Sequence, residues 1–376
     1  MSTADDKFHD ECAVVGVIGD PEAANFCYLG LYAMQHRGQE GAGIVSMQDG
    51  VVLAHRGMGL VADVFDGDRL AQLKGSAAVG HTRYATFGSK DWQNLQPLVA
   101  NFAEGSVAIA HNGNLVNAAE IRHRLELEGA IFSTTSDTEV ILHLAARARD
   151  KTTILQRFAS ALSEVRGAYS LAIMTKDRLI AIRDPYGVRP LSLGRIGKAF
   201  VVASETCAFD LIGATFIRDV APGEILEIDA NGQQRSDFSL PQGNSAFCVF
   251  EYVYFARPDS SIDGRNVYVA RKALGQELAR EHPVAADLVV PVPDSGVPAA
   301  IGYAQETCLP LEFGLIRNHY IGRTFIEPRQ SIRDFGVKIK LNPNPEILHG
   351  KRVIVVDDSI VRGTTCRKII GLLRGA

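Results

Sequence analysis

Apolar residues cluster in short runs along the first part of the chain, and polar turn residues separate these runs. The runs have strand-like composition and predict β-strands, and they read AVVGVIG, GAGIVSM, SVAIAHNGN, AYSLAIM and AFVVASE. Two longer stretches, EAANFCYLGLYAMQHRG and DTEVILHLAARARD, repeat their apolar residues with helical spacing. Strands in succession, with the helices segregated from them, predict an α+β layered domain.

The pattern changes after DFSLPQGNSAF, so we expect a domain boundary near residues 236–246. Beyond it, helices and strands follow in the order NVYVARKALGQELAREH (helix), ADLVVPVP (strand), PAAIGYAQET (helix), EFGLI (strand), KRVIVVDD (strand) and TTCRKIIGLLR (helix). Strands that are apolar throughout, without polar alternation, are typical of sheets covered on both faces. The alternation therefore predicts an α/β domain with a parallel, doubly wound sheet.

Composition and charge narrow the class of protein. The chain has 376 residues, 46% of them hydrophobic and 22% charged, which suits a globular protein of two domains. A net charge of −4 without a basic patch gives no indication of nucleic-acid binding, and no apolar run is long enough for a membrane span. The leader MSTADDKFHDE lacks the features of a signal peptide. The six cysteines are scattered, without a C-x-x-C pair, which predicts reduced thiols and a cytoplasmic location.

The second domain contains a candidate phosphate-binding segment, VIVVDDSIVRGTT. Its loop, Arg362-Gly363-Thr364-Thr365, would present backbone N–H groups at a helix N-terminus, where phosphates bind. Asp357 and Asp358 follow the strand directly and could hold Mg²⁺ or sugar hydroxyls. The segment lacks the P-loop lysine pattern. Taken alone, it also fits a plain strand–turn–helix in which the aspartates are polar caps.

Two further segments point to the same chemistry. VVPVPDSGVPAA also ends a strand in a small polar turn, so Ser295 and Gly296 could approach a second phosphate group. The long segment RNHYIGRTFIEPRQSIRDFGVKIKLNPNP is polar and basic, with Arg317, Arg323, Arg329, Arg333, Lys338 and Lys340. It fits either a cationic lid that closes over a polyanion or an exposed surface loop.

Near the N-terminus, Cys12 separates a short polar leader from the first predicted strand. The ordinary interpretation is a buried cysteine at the start of a strand. If the leader were removed, however, the free α-amino group of Cys12 would titrate at about 8. It could then act as general base for the thiol of the same residue, without a histidine.

Together these segments resemble known families. VIVVDDSIVRGTT resembles the PRPP-binding signature of type I phosphoribosyltransferases. DECAVVGV, MQHRGQEGAG, HTRYAT, AHNGNL and SDTE resemble class II, N-terminal-nucleophile (Ntn) glutamine amidotransferases. Both sets in this order are similar to the amidophosphoribosyltransferase family, which opens de novo purine (IMP) synthesis.

The resemblance implies an organisation and a reaction. It implies a propeptide at residues 1–11, an Ntn-hydrolase αββα sandwich at 12–235, and a Rossmann-like type I phosphoribosyltransferase domain at 247–376. Glutamine would be hydrolysed at an N-terminal cysteine. The ammonia would pass internally to PRPP and give 5-phosphoribosylamine, glutamate and pyrophosphate, because ammonia released to bulk water would be protonated.

The resemblance also implies roles for residues of the first domain. Cys12 would be the nucleophile, Arg37 would organise it, and Asn112 and Gly113 would stabilise the oxyanion. Glutamine would be held at its α-carboxylate and α-ammonium, and the implied residues are Arg83, Tyr84, Thr86 and Asp137. Two of these motifs also have local structural interpretations. Asn-Gly between apolar runs predicts a hairpin turn, and SDTE predicts a capping box at the start of a helix.

In the second domain the implied PRPP-binding residues are Asp357, Asp358, Ser359, Arg362, Gly363, Thr364, Thr365, Arg323, Lys338 and Lys340. Mg²⁺ would lie at Asp357 and Asp358, with Ser295 as a further metal-side ligand. Cys248, between aromatic residues, is on its own a core residue. In iron–sulfur members of the family, the matching cysteine is one of four ligands to a [4Fe–4S] cluster. The other ligands lie in a segment absent from this sequence, so we expect a C-terminally incomplete domain and no cluster in this chain.

The resemblance further implies purine nucleotides as feedback inhibitors and a homo-oligomer, a tetramer by family. Other interpretations remain open from sequence. The amidotransferase half is shared with sugar-phosphate and asparagine-forming enzymes, although the PRPP-like loop argues against both. A non-catalytic PRPP-sensing regulator would need a DNA-binding module, and the sequence offers none. A truncated, inactive chain is a third possibility.

Overall fold

A computed structural model of the chain describes residues 12–84, 92–241, 243–318, 341–360 and 363–376. The chain divides into two compact units, Met1–Val249 with Ser260–Gly264, and Phe250–Asp259 with Arg265–Ala376. The predicted propeptide and part of the predicted lid, including Arg323, Lys338 and Lys340, lie outside the described residues. In the part of the chain that the structure describes, no helix has the length and apolar character needed to cross a membrane.

The first unit consists mainly of antiparallel strands. Its strands are β1 (Ala13–Ile18), β2 (Gly41–Gln48), β3 (Val51–Met58), β4 (Ala77–Arg83), β5 (Leu98–Phe102), β6 (Gly105–Leu115), β7 (Gly167–Met174), β8 (Arg178–Arg183), β9 (Ser192–Ile196), β10 (Ala199–Ala203), β11 (Thr215–Asp219), β12 (Ile225–Asp229), β13 (Gln234–Asp237) and β14 (Ser261–Ile262). Its helices are α1 (Ala23–Ala33), α2 (Val61–Val64), α3 (Gly67–Gln72), α4 (Ala118–Leu127), α5 (Thr138–Arg147), α6 (Ile154–Glu164) and α7 (Cys207–Ile212), with 3₁₀ turns at Gln35–Arg37 and Trp92–Asn94.

Two sheets form the centre of this unit. One has the strand order β11-β9-β10-β1-β4-β2-β3, and the other has the order β13-β12-β8-β7-β6-β5. Apolar side chains of both sheets, among them Val14, Val45, Ala110 and Leu179, meet in one buried cluster. That cluster is the interior of a two-sheet sandwich.

Helices cover the outer face of each sheet. Val15 and Val17 of β1 pack in a cluster with Leu31 of α1 and Phe209 of α7. Ile109 of β6 packs in a cluster with residues of α4, α5 and α6. Because successive strand residues point to opposite faces, β1 is buried on both sides, which explains its uninterrupted apolar sequence. The layers are αββα, so the predicted fold of the first domain is confirmed.

Two local predictions for this unit are wrong. Asn112-Gly113 is not a hairpin turn, because β6 continues through it, with Asn112 opposite Ser170 and Gly113 opposite Tyr169 of β7. Ser136 and Glu139 of SDTE also do not form the reciprocal hydrogen bonds of a capping box. Ser136 Oγ accepts from the N–H of Thr138 at 3.3 Å, whereas the Glu139 carboxylate accepts from the N–H groups of Ser133 and Thr134, both at 2.8 Å. The carboxylate therefore ties down the loop before α5.

The second unit alternates helices and strands. Its elements are a π-helical turn (Glu251–Phe255), β15 (Arg265–Asn266), α8 (Val267–Glu281), β16 (Leu288–Pro291), α9 (Val297–Thr307), β17 (Leu315–Arg317), β18 (Leu341–Pro343), α10 (Pro345–Leu348), β19 (Val353–Val356) and α11 (Thr364–Arg374). β16 and β19 are parallel, from Leu288 opposite Val353 to Pro291 opposite Val356. This pair agrees with the predicted parallel sheet. The predicted strand EFGLI is confirmed in part: Leu311, just before it, forms a parallel bridge with Val289 of β16, but β17 itself pairs antiparallel with β18.

Candidate active site

Cys12 precedes β1 directly and is 9% exposed. Its neighbours follow from strand register, because β1 is antiparallel to β4 with Ala13 opposite Thr82. The residues just beyond Thr82 therefore run past Cys12. The Cys12 Sγ lies 3.7 Å from the backbone oxygen of Tyr84. Arg83 ends β4 and is 5% exposed. The register thus brings Cys12 together with the predicted glutamine-binding pair Arg83 and Tyr84.

A buried ion pair holds the backbone of the nucleophile. Arg37 Nε donates to the carbonyl oxygen of Cys12 at 3.0 Å, and Arg37 Nη1 lies 2.7 Å from Glu205 Oε1. Both side chains are fully buried. Burial alone would raise the pKa of Glu205, but His36 and Arg37 outweigh it and hold the pKa well below its usual range. Glu205 is therefore a carboxylate, and it balances the charge of Arg37 beside the nucleophile.

Asn112 lies in the middle of the sandwich, on β6. Its Nδ2 lies 3.4 Å from Ser204 Oγ, and that hydroxyl also accepts the N–H of Val14 at 3.0 Å. Ser204 follows β10 in the other sheet, so it links the predicted oxyanion donor to β1, the strand that directly follows the nucleophile. Gly113 has φ +150°, and a Cβ there would lie 2.1 Å from the oxygen of Ala168.

Asp137 precedes α5, and its side chain is 11% exposed. Asp137 Oδ2 accepts from the N–H of Leu115 at 2.9 Å, and Oδ1 lies 3.7 Å from His111 Nδ1. Burial acts to raise the pKa of Asp137, but His111 and the N–H of Leu115 outweigh it and lower the pKa. An ionised carboxylate near the end of β6 suits the α-ammonium group of an amino acid. Thr86, the remaining glutamine-binding candidate, lies outside the described residues.

Ser204, Glu205 and His111 were not among the residues that the sequence identified. Ser204 and Glu205 were assigned to the strand AFVVASE, although β10 ends at Ala203. The one signal in the sequence is that two polar residues, Ser204 and Glu205, directly follow the apolar run AFVVA. Their partners lie far away in the chain, 190 positions for Ser204 with Val14 and 168 for Glu205 with Arg37.

In the second unit, two loops meet at the carboxyl ends of β16 and β19. The N–H of Val292 donates to the oxygen of Val356 at 2.8 Å, and the N–H of Gly296 donates to the oxygen of Val292 at 3.0 Å. A Cβ on Gly296 would lie 2.6 Å from the oxygen of Val356. The turn that contains Ser295 therefore packs against the strand end that leads into Asp357.

Asp357, Asp358 and Ser359 are among the residues that line a cavity of about 1050 Å³, whose remaining lining is mostly apolar and comes from β19 and α11. Burial raises the pKa of Asp357, and the nearby charge of Asp358 acts in the same direction. The N–H of Asp358 donates to Asp357 Oδ1 at 2.9 Å, and Ser359 Oγ donates to Asp358 Oδ1 at 2.8 Å. Gly363, with φ +67°, precedes α11, whose first turn contains Thr365. Arg362 and the side chain of Thr364 lie outside the described part of the structure.

Cys248 is half-buried in the first unit, where its N–H donates to the oxygen of Val188 at 3.2 Å. Over the described ranges, no three or more His, Cys, Asp or Glu side chains are grouped closely enough to hold a metal ion. The structure therefore does not bring further thiolates to Cys248 within those ranges.

Comparison with known proteins agrees with this architecture. A family profile for the glutamine amidotransferase domain matches residues 81–210. Amidophosphoribosyltransferase 1, chloroplastic, of Arabidopsis thaliana is 53% identical over 99% of this chain and 66% of its own length. The amidophosphoribosyltransferase of Rhizobium etli is 53% identical over 99% of this chain and 76% of its own length. The chain thus spans slightly less than two thirds of the Arabidopsis relative.

A solved structure is similar over almost the whole chain. The glutamine PRPP amidotransferase of B. subtilis, complexed with ADP and GMP, superposes with a TM-score of 0.91 at 50% identity. The match covers 97% of this chain and 79% of that chain. The fold is therefore an Ntn-type amidotransferase sandwich followed by a phosphoribosyltransferase domain.

Proposed function

Because the chain belongs to the amidophosphoribosyltransferase family, we propose that it releases ammonia from glutamine at Cys12 and transfers it to PRPP. The products are 5-phosphoribosylamine, glutamate and pyrophosphate, as in the first step of de novo purine synthesis. The observation that carries the proposal is the setting of Cys12. Its carbonyl accepts from buried Arg37, and its strand is linked through Ser204 to Asn112.

The glutamine half of the reaction needs Cys12 at the N-terminus, so residues 1–11 are removed first. The α-amino group then takes the thiol proton, directly or through a water molecule. The thiolate attacks the carboxamide carbon, and Asn112 Nδ2 and the N–H of Gly113 stabilise the oxyanion. Ammonia leaves, and water hydrolyses the thioester to glutamate. Arg83 holds the α-carboxylate of glutamine, and Asp137 holds its α-ammonium.

In the PRPP half, ammonia displaces pyrophosphate at the anomeric carbon. Asp357 and Asp358 hold the ribose hydroxyls or Mg²⁺, and the backbone N–H groups at the start of α11 hold the 5′-phosphate. The family relationship favours Mg²⁺ at this edge, where Asp357 and Asp358 offer carboxylate oxygens, although the described residues bring no third His, Cys, Asp or Glu side chain to them. Asp357, Asp358 and Ser295 would hold it. When bound, Mg²⁺ would neutralise the charge that develops on the pyrophosphate leaving group.

An iron–sulfur cluster does not fit the described residues. A cubane cluster needs four thiolates, and the ranges that the structure covers bring no such group together around Cys248. Iron analysis of anaerobically purified chain should find no stoichiometric iron.

We also propose that purine nucleotides inhibit the chain and that it forms an oligomer. The B. subtilis structure, in a complex with ADP and GMP, supports purine nucleotides as inhibitors of this chain. We propose a homo-oligomer, a tetramer by family, and a cytoplasmic location. The domain limits that we propose are 12–235 and 247–376, whereas the compact units divide after Val249, with Ser260–Gly264 in the first unit.

The test measures glutamate release from glutamine by two cysteine variants. Cys12→Ala should abolish hydrolysis. Cys27→Ala should retain it, because Cys27 is fully buried and burial raises the pKa of its thiol far above the usual range. Hydrolysis by Cys12→Ala at the wild-type rate would refute the assignment of the nucleophile.

A second arm tests the phosphate edge. Asp358→Asn should abolish binding of Mg²⁺-PRPP in calorimetry and leave basal glutamine hydrolysis intact, because Asp358 belongs to the other compact unit. Equal PRPP affinity in wild type and variant would remove Asp358 from the PRPP site.

A further inference from the structure

Ser204 is fixed to the nucleophile strand at two points. Its N–H donates to the oxygen of Val14 at 3.1 Å, and its hydroxyl accepts the N–H of Val14 at 3.0 Å. The second bond replaces one that a backbone carbonyl would ordinarily make in an antiparallel ladder. The Ser204 hydroxyl thus has a rigid position relative to β1, two residues beyond Cys12.

The same hydroxyl reaches the amide of Asn112 in the opposite sheet, at 3.4 Å. Both side chains are completely buried. With the nitrogen of the amide turned to Ser204, Asn112 Oδ1 has no hydrogen-bond partner among the described residues. A buried carbonyl without a donor is unfavourable. It would also present a negative dipole where the reaction needs a donor.

Turning the amide by half a rotation gives Oδ1 a donor and moves the unpartnered position to Nδ2, the end of the amide that the reaction needs. The two ends of an amide have the same shape, so hydrogen-bond chemistry decides which end faces Ser204. A serine hydroxyl has one proton to donate, and at Ser204 the oxygen already accepts from Val14. Ser204 Oγ–H can therefore donate to Asn112 Oδ1. The Nδ2 group then occupies the unpartnered position, with its N–H bonds available to an anion.

We propose that Ser204 is a positioning residue that orients the Asn112 amide as oxyanion donor and ties it to the nucleophile strand. The inference rests on the proposed function, in which Asn112 stabilises the oxyanion formed at Cys12. Ser204 contacts Asn112 and the backbone of Val14 and acts on the reaction through them. Its contribution arises in the transition state, where the oxyanion exists, and it leaves the binding of ground-state glutamine unchanged.

The test is steady-state glutamine hydrolysis by the processed chain. Ser204→Ala should lower kcat by about 10- to 100-fold, less than complete loss of an oxyanion donor, and leave KM within about threefold. The affinity for a γ-aldehyde analogue of glutamine, which forms a tetrahedral adduct with the thiolate, should fall by the same factor as kcat. Ser204→Thr, which keeps the hydroxyl, should restore both values.

Ser46→Ala is the matched control. Ser46 is a fully buried serine of β2, and its hydroxyl donates to the oxygen of Lys74 at 2.9 Å, away from Cys12 and Asn112. It should keep wild-type kcat and aldehyde affinity. The positioning role is wrong if Ser204→Ala keeps the wild-type kcat and aldehyde affinity, as Ser46→Ala should. It is also wrong if Ser204→Ala loses activity only through a higher KM.

Misfolding of the variant and failure of the proposed function can each be told apart from a wrong role for Ser204. If Ser204→Ala fails to fold, Ser204→Cys replaces it, since a thiol is a weaker donor of similar size. That variant should fall between wild type and alanine, and wild-type kcat and aldehyde affinity in it would overturn the proposal. If the wild-type chain itself hydrolyses no glutamine, the proposed function fails. If the wild-type chain hydrolyses glutamine and Ser204→Ala does so equally well, only the role of Ser204 is overturned.

Discussion

Position 113 can accept only glycine without strain. Its φ of +150° is a conformation that side chains rarely adopt, and a Cβ would lie 2.1 Å from the oxygen of Ala168 and 2.9 Å from His111 Nε2. The residue lies in β6 directly after Asn112. A shift of the backbone at Gly113 would therefore move the proposed oxyanion donors together.

Gly113→Ala should destabilise the first unit by about 2 to 4 kcal/mol and abolish glutamine hydrolysis. The control is Gly105→Ala, which has a similar φ of +127° but no atom within 4 Å of the new Cβ. Gly105→Ala should lower the free energy of unfolding by only about 1 kcal/mol and leave glutamine hydrolysis intact. Urea unfolding and glutamate release measure the two effects. Equal losses in both variants would mean that backbone strain, and not the clash with Ala168, sets the requirement.

At the residue scale, the sequence was most informative where a family motif matched. The motifs predict roles for Cys12, Arg83 and Asn112, and these roles stay predictions, but Asn112-Gly113 was also assigned to a hairpin turn. The dipeptide favours that turn in isolation, whereas pairing with β7 extends the strand through it. Ser204 and Glu205 could not be identified, because their roles depend on contacts between distant strands rather than on local pattern.

At the scale of elements, helices α8 and α9 approach each other through glycines. A Cβ on Gly275 would lie 1.9 Å from the oxygen of Ala299, and a Cβ on Gly302 would lie 1.9 Å from the oxygen of Lys272. Each helix thus packs directly against the backbone of the other. The turn that contains Ser295 leads into α9, so this crossing supports the proposed PRPP edge.

Gly302→Ala should lower the free energy of unfolding of the second unit by about 2 to 3 kcal/mol, because the helices must move apart. Gly371→Ala, in α11, has open space around the new Cβ. It should instead be neutral or stabilising by up to about 1 kcal/mol. Calorimetric unfolding compares the two, and a harmless Gly302→Ala would contradict the close crossing.

Glu139, in the first turn of α5, should make the stability of the first unit depend on pH. Burial acts to raise the pKa of Glu139, but His143, Ser133 and Thr134 outweigh it and lower the pKa from 4.5 to about 2. A depressed carboxylate pKa stabilises the fold above the unfolded value, and the contribution is lost as pH falls through the folded one. The sensitive window is therefore from about 4.5 down to about 2.

Glu139→Gln should be less stable than wild type at neutral pH, and the difference should shrink as pH falls through that window. Urea unfolding at several pH values measures it. Glu120→Gln, an exposed residue in the first turn of α4, should follow the wild-type pH profile. A constant difference between wild type and Glu139→Gln at all pH values would show that charge is not the cause.

The hydrophobic pattern predicted elements best where both faces are buried. The strands β1 and β10 and the parallel pair β16 and β19 are apolar throughout, and each was found. Pairing direction was harder, because the partner of β17 is β18, which follows a long basic segment. No local signal in EFGLI separates an antiparallel edge from a further parallel strand.

At the scale of the whole molecule, each unit holds the residues proposed for one half of the reaction. Cys12, Asn112 and Asp137 belong to the first unit, and Asp357 and Asp358 belong to the second. The family relationship extends over 99% of the chain, through both units. It therefore favours PRPP as acceptor over the sugar-phosphate and aspartate acceptors of enzymes that share only the amidotransferase half.

The most direct measurement is pyrophosphate release from Mg²⁺-PRPP with glutamine or ammonia as nitrogen source, in wild type and Cys12→Ala. Fructose 6-phosphate and aspartate serve as control acceptors. Wild type should use both nitrogen sources and neither control acceptor, whereas Cys12→Ala should use ammonia alone. Glutamine-dependent release by Cys12→Ala at the wild-type rate, or no PRPP consumption by wild type with either source, would contradict the account.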